Sequence, residues 1–385
     1  MPCNGQTGRV SSTTSHTPDH VFHERLERAR QQMSAVGVDT LLVSVGSDLP
    51  YLTGYEAMPL ERLTMLVLPR DGEATLVIPR LEAPRVVERA GAFTLRPWGE
   101  TDDPVAIVAS LVGGAPATAA VGDTMWARFL VDLLGHWPSG ATRYVRSTTV
   151  MNALRTRKDA AEIAALRAAG AAADRVAAQL HAGEIPLEGR TEAAVSADIS
   201  ARLISEGHDV VNFAIVAAGE NAASPHHHPG DRVIRHGEVV LCDFGGTMAG
   251  YCSDITRCVS LGEPPAEVAE AYAVLHAAQE AGVQAGVVGA ACQDVDRAAR
   301  AVIADAGWGE YFIHRTGHGI GLEAHEDPYM VEGNTESIAA GHAFSVEPGI
   351  YVAGRWGMRL EDIVVATDGG PDRMNHAARA LVTLG

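Results

Sequence analysis

The chain has 385 residues, of which 46% are apolar, which is enough to form two domains with separate cores. Acidic residues outnumber basic ones by 48 to 30, and the net charge of −18 argues against binding to a nucleic-acid backbone, which needs clusters of Lys and Arg. No apolar run reaches the ~18 residues of a membrane-spanning helix, and the polar residues 1–20 contain no apolar secretory segment. We therefore expect a cytoplasmic protein, with a disordered tail over residues 1–20, that binds neither nucleic acid nor membrane. The odd number of cysteines, five, and the absence of a C-x-x-C spacing indicate reduced thiols.

Residues 21–150 alternate short apolar runs with helical segments. The runs at 40–45, 64–69 and 74–79 have the composition of strands and are separated by turn residues such as Arg70-Asp71-Gly72. This pattern predicts a small α/β domain with a mixed sheet.

Residues 151–385 have a different composition, which begins with a long Ala-rich helix. Asp159 and Glu162 have the spacing of a capping box at its start, and Gly183 suits its end. Further helices are predicted over 191–206, 265–284 and 293–306, with strand-like hairpins between and after them. The pattern predicts an α+β domain in which helices pack on one antiparallel sheet.

Two aspartates interrupt an otherwise apolar hairpin in this second domain. A turn at Met248 and Ala249 would make Asp243 and Asp254 direct cross-strand neighbours on one face. Two carboxylates at that distance destabilise a sheet unless a cation lies between them.

A second apolar hairpin repeats this arrangement near the C-terminus. Glu347 and Glu361 are equidistant from Gly354, which lies in a Gly-rich turn, so they too become cross-strand neighbours. Four buried carboxylates suit divalent cations with oxygen ligands, and one imidazole from His314, His318 or His325 would complete a manganese, cobalt or zinc site.

The histidines also allow other interpretations, as a helical zinc motif or as a surface tract. His314 and His318 have the i, i+4 spacing of a helical zinc motif, but Gly317, Gly319 and Gly321 disfavour a helix there. The "PHHHP" run at 225–229 fits either an adventitious metal-binding tract or a surface loop. Taken singly, each histidine has a structural role more often than a catalytic one.

The ordered set Asp243, Asp254, His318, Glu347 and Glu361 resembles the metal ligands of the pita-bread metallopeptidases. The surrounding sequences "LCDFGG", "YCSDITR", "HRTGHGIGLEAHE", "FSVEPGIYV" and "RLEDIV" are similar to that family as well. The segment "GVDTLLVSVGSDLPYLTGY" resembles the N-terminal domain of creatinase, aminopeptidase P and prolidase. The resemblance therefore implies a creatinase-like N-terminal α/β domain at 21–150 and a catalytic pita-bread domain at 151–385.

The resemblance also implies residue roles. Asp243 would bind a first metal ion, His318 and Glu347 a second, and Asp254 and Glu361 would bridge the two, with manganese as the expected metal. A hydroxide between the metals would be the nucleophile. The resemblance also implies that His226 and His325 face the substrate and that Arg359 lies near the site. Glu347 would in addition carry a proton to the leaving nitrogen.

Function is expected to be hydrolysis of Xaa-Pro bonds in dipeptides or short peptides by a homodimer, either as a dipeptidase or as an aminopeptidase. Some prolidases carry an arginine at about the position of Tyr329, so the group that holds the substrate carboxylate stays unidentified. Two alternatives remain. One is a non-peptide C–N or C–S bond enzyme resembling ectoine hydrolase, creatinase or dimethylsulfoniopropionate lyase, and the other is a non-catalytic binding scaffold.

Overall fold

The computed structural model describes residues 17–138 and 140–385, which fall into two compact units separated after Arg155. The predicted tail lies outside the described residues up to residue 16, and the first helix begins at Asp19. Among the described residues, no helix has the length and apolar character that crossing a membrane requires.

The N-terminal unit is an α/β domain built on a mixed sheet, as predicted. Its strands have the order β4-β3-β2-β1-β5-β6, in which β1–β2 and β2–β3 are antiparallel and the other pairs are parallel. The helices are α1 Asp19–Val36, α2 Asp48–Thr53, α3 Pro104–Val112, α4 Ala127–Leu134 and α5 Thr148–Arg155. The strands are β1 Thr40–Val43, β2 Met65–Pro69, β3 Thr75–Pro79, β4 Thr94–Trp98, β5 Thr118–Val121 and β6 Arg143–Arg146.

The helices of the C-terminal unit agree with the sequence predictions. They are α6 Ala160–His181, α7 Glu192–Ser205, α8 Ala266–Ala285 and α9 Cys292–Asp305. The predicted capping box is formed: the backbone N–H of Glu162 donates to Asp159 Oδ1, and the backbone N–H of Asp159 donates to Glu162 Oε2, both at 2.9 Å. Gly183 follows α6 with φ of 72°, the left-handed conformation that ends helices.

The strands of the C-terminal unit do not form the single antiparallel sheet that was predicted. In the described residues, one sheet has the order β18-β10-β8-β7, with β9 on β8, a second has the order β12-β11-β13-β16-β17, and β14 pairs with β15. Strand β18 runs parallel to β10. The strands are β7 Val210–Ala218, β8 Val239–Met248, β9 Tyr251–Cys252, β10 Ile255–Leu261, β11 Gly317–Gly319, β12 Glu326–Met330, β13 Ala343–Val346, β14 Gly349–Val352, β15 Trp356–Arg359, β16 Asp362–Thr367, β17 Gly370–Arg373 and β18 Val382–Leu384.

The helices of the C-terminal unit pack on both sheets. Apolar residues of α6 and α7, Val176 among them, share a core with the first sheet. Residues of α8 and α9, Val283 among them, share another core with the second sheet. Leu275 of α8 also shares a core with strands β8 and β10, and Leu166 of α6 shares one with β13 and β16, so each helix pair contacts both sheets.

The register predicted for the first carboxylate hairpin is wrong by two residues. Met248 pairs with Tyr251, so the turn residues are Ala249 and Gly250, with φ of 49° and 85°. A two-residue hairpin turn with positive φ at both central positions favours Gly at the second, which the predicted turn at Met248 and Ala249 lacked. Asp243 consequently pairs with Thr256, and Asp254 lies between β9 and β10.

The register of the second hairpin is confirmed. Gly349 pairs with Arg359 in one ladder and Val346 pairs with Asp362 in the next, so Glu347 and Glu361 occupy opposite positions between the two ladders. Gly354 has φ of 71° in the connecting turn. The glycine at the centre of this turn sets the register that the sequence indicates.

A fully buried arginine joins the two hairpins behind the carboxylates. Arg257 on β10 donates from Nη2 to Asp362 Oδ1 at 2.7 Å and from Nη1 to the backbone carbonyl of Glu361 at 2.6 Å. Its Nε and Nη2 also donate to the carbonyls of Ala378 and Ala377, each at 2.9 Å. The guanidinium thus holds the main chain of Glu361 in place.

We expect Arg257→Lys to lower the free energy of unfolding by about 1–3 kcal/mol, because an ammonium group cannot reach all these acceptors and leaves buried carbonyl oxygens unpaired, while Asp362 keeps its contacts with Gln279 and Arg373. The control is Arg167→Lys, which alters an exposed pair with Asp372 and should cost less than about 1 kcal/mol. Urea titration of chelated protein measures both, since removing metal keeps its binding out of the comparison. Equal, small losses in the two variants would contradict this role.

Candidate metal centre

One cleft of about 610 Å³ in the C-terminal unit collects the polar residues that the sequence analysis selected. The carboxylates come from the two hairpins, His318 comes from strand β11, and the other imidazoles come from segments between strands. The lining residues are Phe213, Ile215, Pro225, His226, Asp243, Asp254, His314, Arg315, His318, His325, Glu347, Arg359 and Glu361.

In three of the carboxylates one oxygen has no protein partner. Arg359 Nη2 donates to Asp243 Oδ2, and Thr256 Oγ1 donates to Glu361 Oε2 at 2.7 Å. The other oxygens, Asp243 Oδ1 and Glu361 Oε1, are buried without a hydrogen-bond partner in the described structure, as is Asp254 Oδ1. Buried polar atoms are normally paired, so these three oxygens indicate a missing ligand.

His318 turns one ring nitrogen toward the same carboxylates. Its Nδ1 lies 3.0 Å from the carbonyl oxygen of Gly319, which can only accept, so Nδ1 carries the hydrogen. Its Nε2 lies 3.2 Å from Glu347 Oε1 and 3.9 Å from Asp254 Oδ2. Ser345 Oγ donates to Glu347 Oε1 at 3.0 Å and fixes that carboxylate in turn.

The potential ligand atoms fall into overlapping groups, within each of which all atoms lie within 4.8 Å of one another. Asp243, Asp254 and Glu361 form one group, and Glu361 also forms another with His318 and Glu347. Asp254 is shared as well, since it groups with His318 and His325. The two shared carboxylates are those for which the resemblance implies a bridging role.

The pKa values of the carboxylates are shifted because these groups are buried close together. Burial, reinforced by the charge of Glu361, raises the pKa of Asp254 well above its usual value. Burial and the charge of Glu347 do the same to the pKa of Glu361. Desolvation would also raise the pKa of Glu347, but its hydrogen bond to His318 and the charges of nearby cationic groups lower it to about 2. The cluster therefore needs protons or cations to offset its charge.

The donor set fits divalent cations. It offers carboxylate oxygens without partners and one ring nitrogen of His318. The other ring nitrogen of His318 is fixed by a backbone carbonyl, which is the usual environment of a metal-binding histidine. The residues that could hold the ions are Asp243, Asp254, His318, Glu347 and Glu361.

Of the three consecutive histidines, only His226 lines the cleft. His227 Nε2 lies 2.8 Å from Oε2 of Glu192, a fully buried carboxylate that also accepts from the backbone N–H of Ala218 at 2.9 Å. His228 is exposed. The "PHHHP" run is thus a surface loop held by Glu192, with its first histidine facing the cleft.

His325 lies at the edge of the ligand cluster. Its ring is 3.9 Å from the ring of His318, and burial together with the charge of His318 lowers its pKa to about 4. It stands close enough to Asp254 and His318 to be a ligand, which is one of the options that the residues alone left open, whereas the resemblance implies a role toward the substrate. Its exposed ring equally leaves it open to a substrate.

His314 takes a different position from His318. Its Nε2 lies 2.9 Å from Tyr351 Oη, and Arg359 Nη1 donates to the same oxygen at 2.8 Å. Its Nδ1 lies 2.7 Å from the carbonyl oxygen of Arg315. Both nitrogens are thereby engaged, and His314 belongs to none of the ligand groups of the described residues, unlike His318 and His325.

Several residues of the site escaped the sequence analysis. Thr256 lies two residues after Asp254, and Tyr351 lies four after Glu347, so the period of two in a strand was a usable signal for both. Arg315 precedes the irregular glycine-rich segment around His318, where no periodicity exists to identify it.

Comparisons with known proteins agree with this geometry. The sequence model of metallopeptidase family M24 matches residues 164–368, and that of the creatinase/prolidase N-terminal domain matches residues 25–157. A probable dipeptidase PepE of Mycobacterium tuberculosis is 45% identical over 371 residues, which cover 94% of this chain and 97% of that protein.

Solved structures are similar over the same extent. The dipeptidase PepE from Mycobacterium ulcerans has a TM-score of 0.89 at 45% identity, covering 95% of this chain and 99% of that one. A prolidase from Thermococcus sibiricus has a TM-score of 0.87 at 36% identity, covering 94% of this chain and 99% of that one.

The creatinase-like N-terminal domain and the pita-bread C-terminal domain predicted from the sequence are therefore both present. The cleft described above lies within the part of the chain that the peptidase model matches. With a family model over more than half its length and close relatives over nearly all of it, the chain belongs to metallopeptidase family M24.

Proposed function

We propose that this metallopeptidase hydrolyses Xaa-Pro bonds in dipeptides or short peptides with two divalent cations. The observation that carries the proposal is the set of partnerless carboxylate oxygens grouped around His318 in one cleft. Similarity to a prolidase over 94% of the chain supports the choice of substrate.

Asp243 would hold one ion, His318 and Glu347 the other, and Asp254 and Glu361 both. Support comes from the overlap of the ligand groups, in which Asp254, Glu361 and His318 each occur twice. Of these three, only the carboxylates have two oxygens to share between ions, because Nδ1 of His318 is engaged by a carbonyl oxygen. Manganese is the first choice for this oxygen-rich set, with cobalt or zinc as substitutes. When bound, two such ions lower the pKa of a water molecule to give a hydroxide nucleophile and polarise the scissile carbonyl.

The protein's own residues complete the chemistry. Imidazole N–H groups of His226 and His325 would donate to the carbonyl oxygen as it gains negative charge. Glu347, whose carboxylate faces the cluster, would carry a proton to the departing nitrogen. Arg359 orients Asp243 by direct hydrogen bonding and partly opposes the rise in the pKa of Asp243 that burial causes, and Tyr351 fixes the guanidinium.

A proline residue suits the cleft in two respects. Its nitrogen forms a tertiary amide without an N–H and, like any leaving amide nitrogen, must receive a proton as the bond breaks, which Glu347 would supply. The apolar side chains of Phe213 and Ile215 line the same cleft as the carboxylates and give a pyrrolidine ring a surface to pack on.

The substrate class is tested by a hydrolysis panel with added manganese. It contains an Xaa-Pro dipeptide, an Xaa-Pro tripeptide, an Xaa-Ala dipeptide, ectoine and creatine. We expect cleavage of at least one Xaa-Pro peptide, little cleavage of Xaa-Ala, no activity after chelation, and recovery when manganese or cobalt is returned. Cleavage confined to ectoine or creatine would instead support a non-peptide enzyme, and full activity of the chelated protein would rule out metal-dependent hydrolysis.

The two histidines of the cluster should separate by metal content. We expect His318→Ala to lose metal, whereas His325→Ala should retain most of it and lose rate by ~10²–10³, the size of one oxyanion donor. His228→Ala, which changes an exposed neighbour in the loop of His226, serves as the unaffected control. Elemental analysis and steady-state kinetics measure both quantities. Equal metal loss in His318→Ala and His325→Ala would make His325 a ligand.

A further inference from the structure

The cleft contains an arginine whose charged group has no protein acceptor. Among the described residues, no carboxylate or carbonyl lies within hydrogen-bond distance of the Arg315 guanidinium, although the side chain is half-buried and lines the cleft. Arg359, the other arginine of the lining, donates to Thr256, Pro225, Tyr351 and Asp243. Arg315 therefore keeps its donors for a ligand, whereas those of Arg359 are already engaged.

The Arg315 side chain is nevertheless held in position. Its guanidinium carbon lies 4.2 Å from the centroid of the Tyr329 ring, the geometry of a cation–π contact. Stacking on an aromatic face leaves the N–H groups at the edge of the guanidinium plane free for bidentate binding.

The backbone on both sides of Arg315 is also fixed by helix α9. Arg300 donates from Nη2 to the carbonyl oxygen of His314 at 2.8 Å. Asp296, which is 1% exposed, accepts from the backbone N–H and the hydroxyl of Thr316, both at 2.9 Å. An arginine placed by buried contacts on either side, yet without an acceptor, has the character of a binding residue that is ordered before its ligand arrives.

We propose that Arg315, stacked on Tyr329, binds the C-terminal carboxylate of the substrate and thereby favours dipeptides over longer peptides. The inference rests on the proposed function and identifies the residue that selects substrate length. A planar guanidinium and a carboxylate form two parallel charge-assisted hydrogen bonds. The carboxylates Asp243, Asp254 and Glu361 attract cations, so an anionic end of the substrate needs this separate cation.

Arg315 could bind the substrate carboxylate although Tyr329 occupies about the position at which some prolidases carry an arginine. Tyr329 has no positive charge, but its ring supports an arginine that arrives from another strand-flanking segment, three residues before His318. The clamp is thus built from two residues that are 14 positions apart in sequence and in contact in the fold.

Kinetics with a matched pair of substrates test the clamp. The pair is an Xaa-Pro dipeptide and its C-terminal amide, assayed with manganese on wild type, Arg315→Ala and Arg315→Lys. Wild type should prefer the free acid. In Arg315→Ala, kcat/KM for the acid should fall about 10- to 100-fold, mainly through KM, while kcat/KM for the amide stays nearly constant. For Arg315→Lys, kcat/KM for the acid should lie between the values of wild type and Arg315→Ala.

Tyr329 is tested as a positioning residue by two variants. Tyr329→Phe keeps the aromatic face and should retain the wild-type preference for acid over amide, whereas Tyr329→Leu should lose part of it through a raised KM. Metal content and melting temperature, measured on every variant, should remain unchanged because neither residue belongs to the ligand groups. A merely structural role for Tyr329 would lower kcat/KM for acid and amide alike.

The outcomes distinguish the clamp from the proposed function. If wild type cleaves the acid but Arg315→Ala loses activity on acid and amide equally, or on neither, the clamp is overturned and Xaa-Pro hydrolysis stands. If wild type cleaves neither form nor a longer Xaa-Pro peptide, the proposed function itself fails, and the clamp fails with it.

Discussion

Four carboxylates held in one buried cleft repel each other, and much of the C-terminal unit is arranged around that repulsion. Arg359 offsets one negative charge by bonding Asp243 directly, and Thr256 orients Glu361 without neutralising it. Arg257 fixes the backbone of Glu361 from behind. These contacts position the carboxylates but supply too little positive charge to neutralise them. The remaining charge is what divalent ions would compensate, so the same arrangement that costs stability in the metal-free chain creates affinity for metal.

The division of labour between the two oxygens of a carboxylate follows from this constraint. For Asp243 and Glu361, one oxygen accepts a hydrogen bond from the protein and the other faces the cluster without a partner. Fixing one oxygen limits rotation of the group, so little conformational entropy remains to be lost when the second oxygen binds an ion. Thr256 lies on β10, which pairs with the strand of Asp243 and is bridged to Glu361, whereas Arg359 reaches Asp243 from β15.

Local sequence signals predicted the local features of this chain, and features that depend on distant contacts escaped them. The capping box of Asp159 and Glu162 was readable because both partners lie within one helical turn. The register of Glu347 and Glu361 was readable because Gly354 marks the turn centre. The predicted pairing of Asp243 with Asp254 was wrong because Gly250 must occupy the second turn position. The pairing therefore moves by two residues, and Asp254 lies outside the ladder. The contact of Arg315 with Tyr329 depends on two segments meeting in the fold, and no spacing rule encodes it.

A crystal structure of the manganese-loaded protein, with diffraction data recorded above and below the manganese absorption edge, would show whether this cluster binds two ions bridged by Asp254 and Glu361. We expect two anomalous peaks ~3.5–4 Å apart. One should lie beside Asp243, the other beside His318 and Glu347, and both should contact the two bridging carboxylates. A single peak at full loading, or peaks away from these residues, would contradict the binding of two bridged ions.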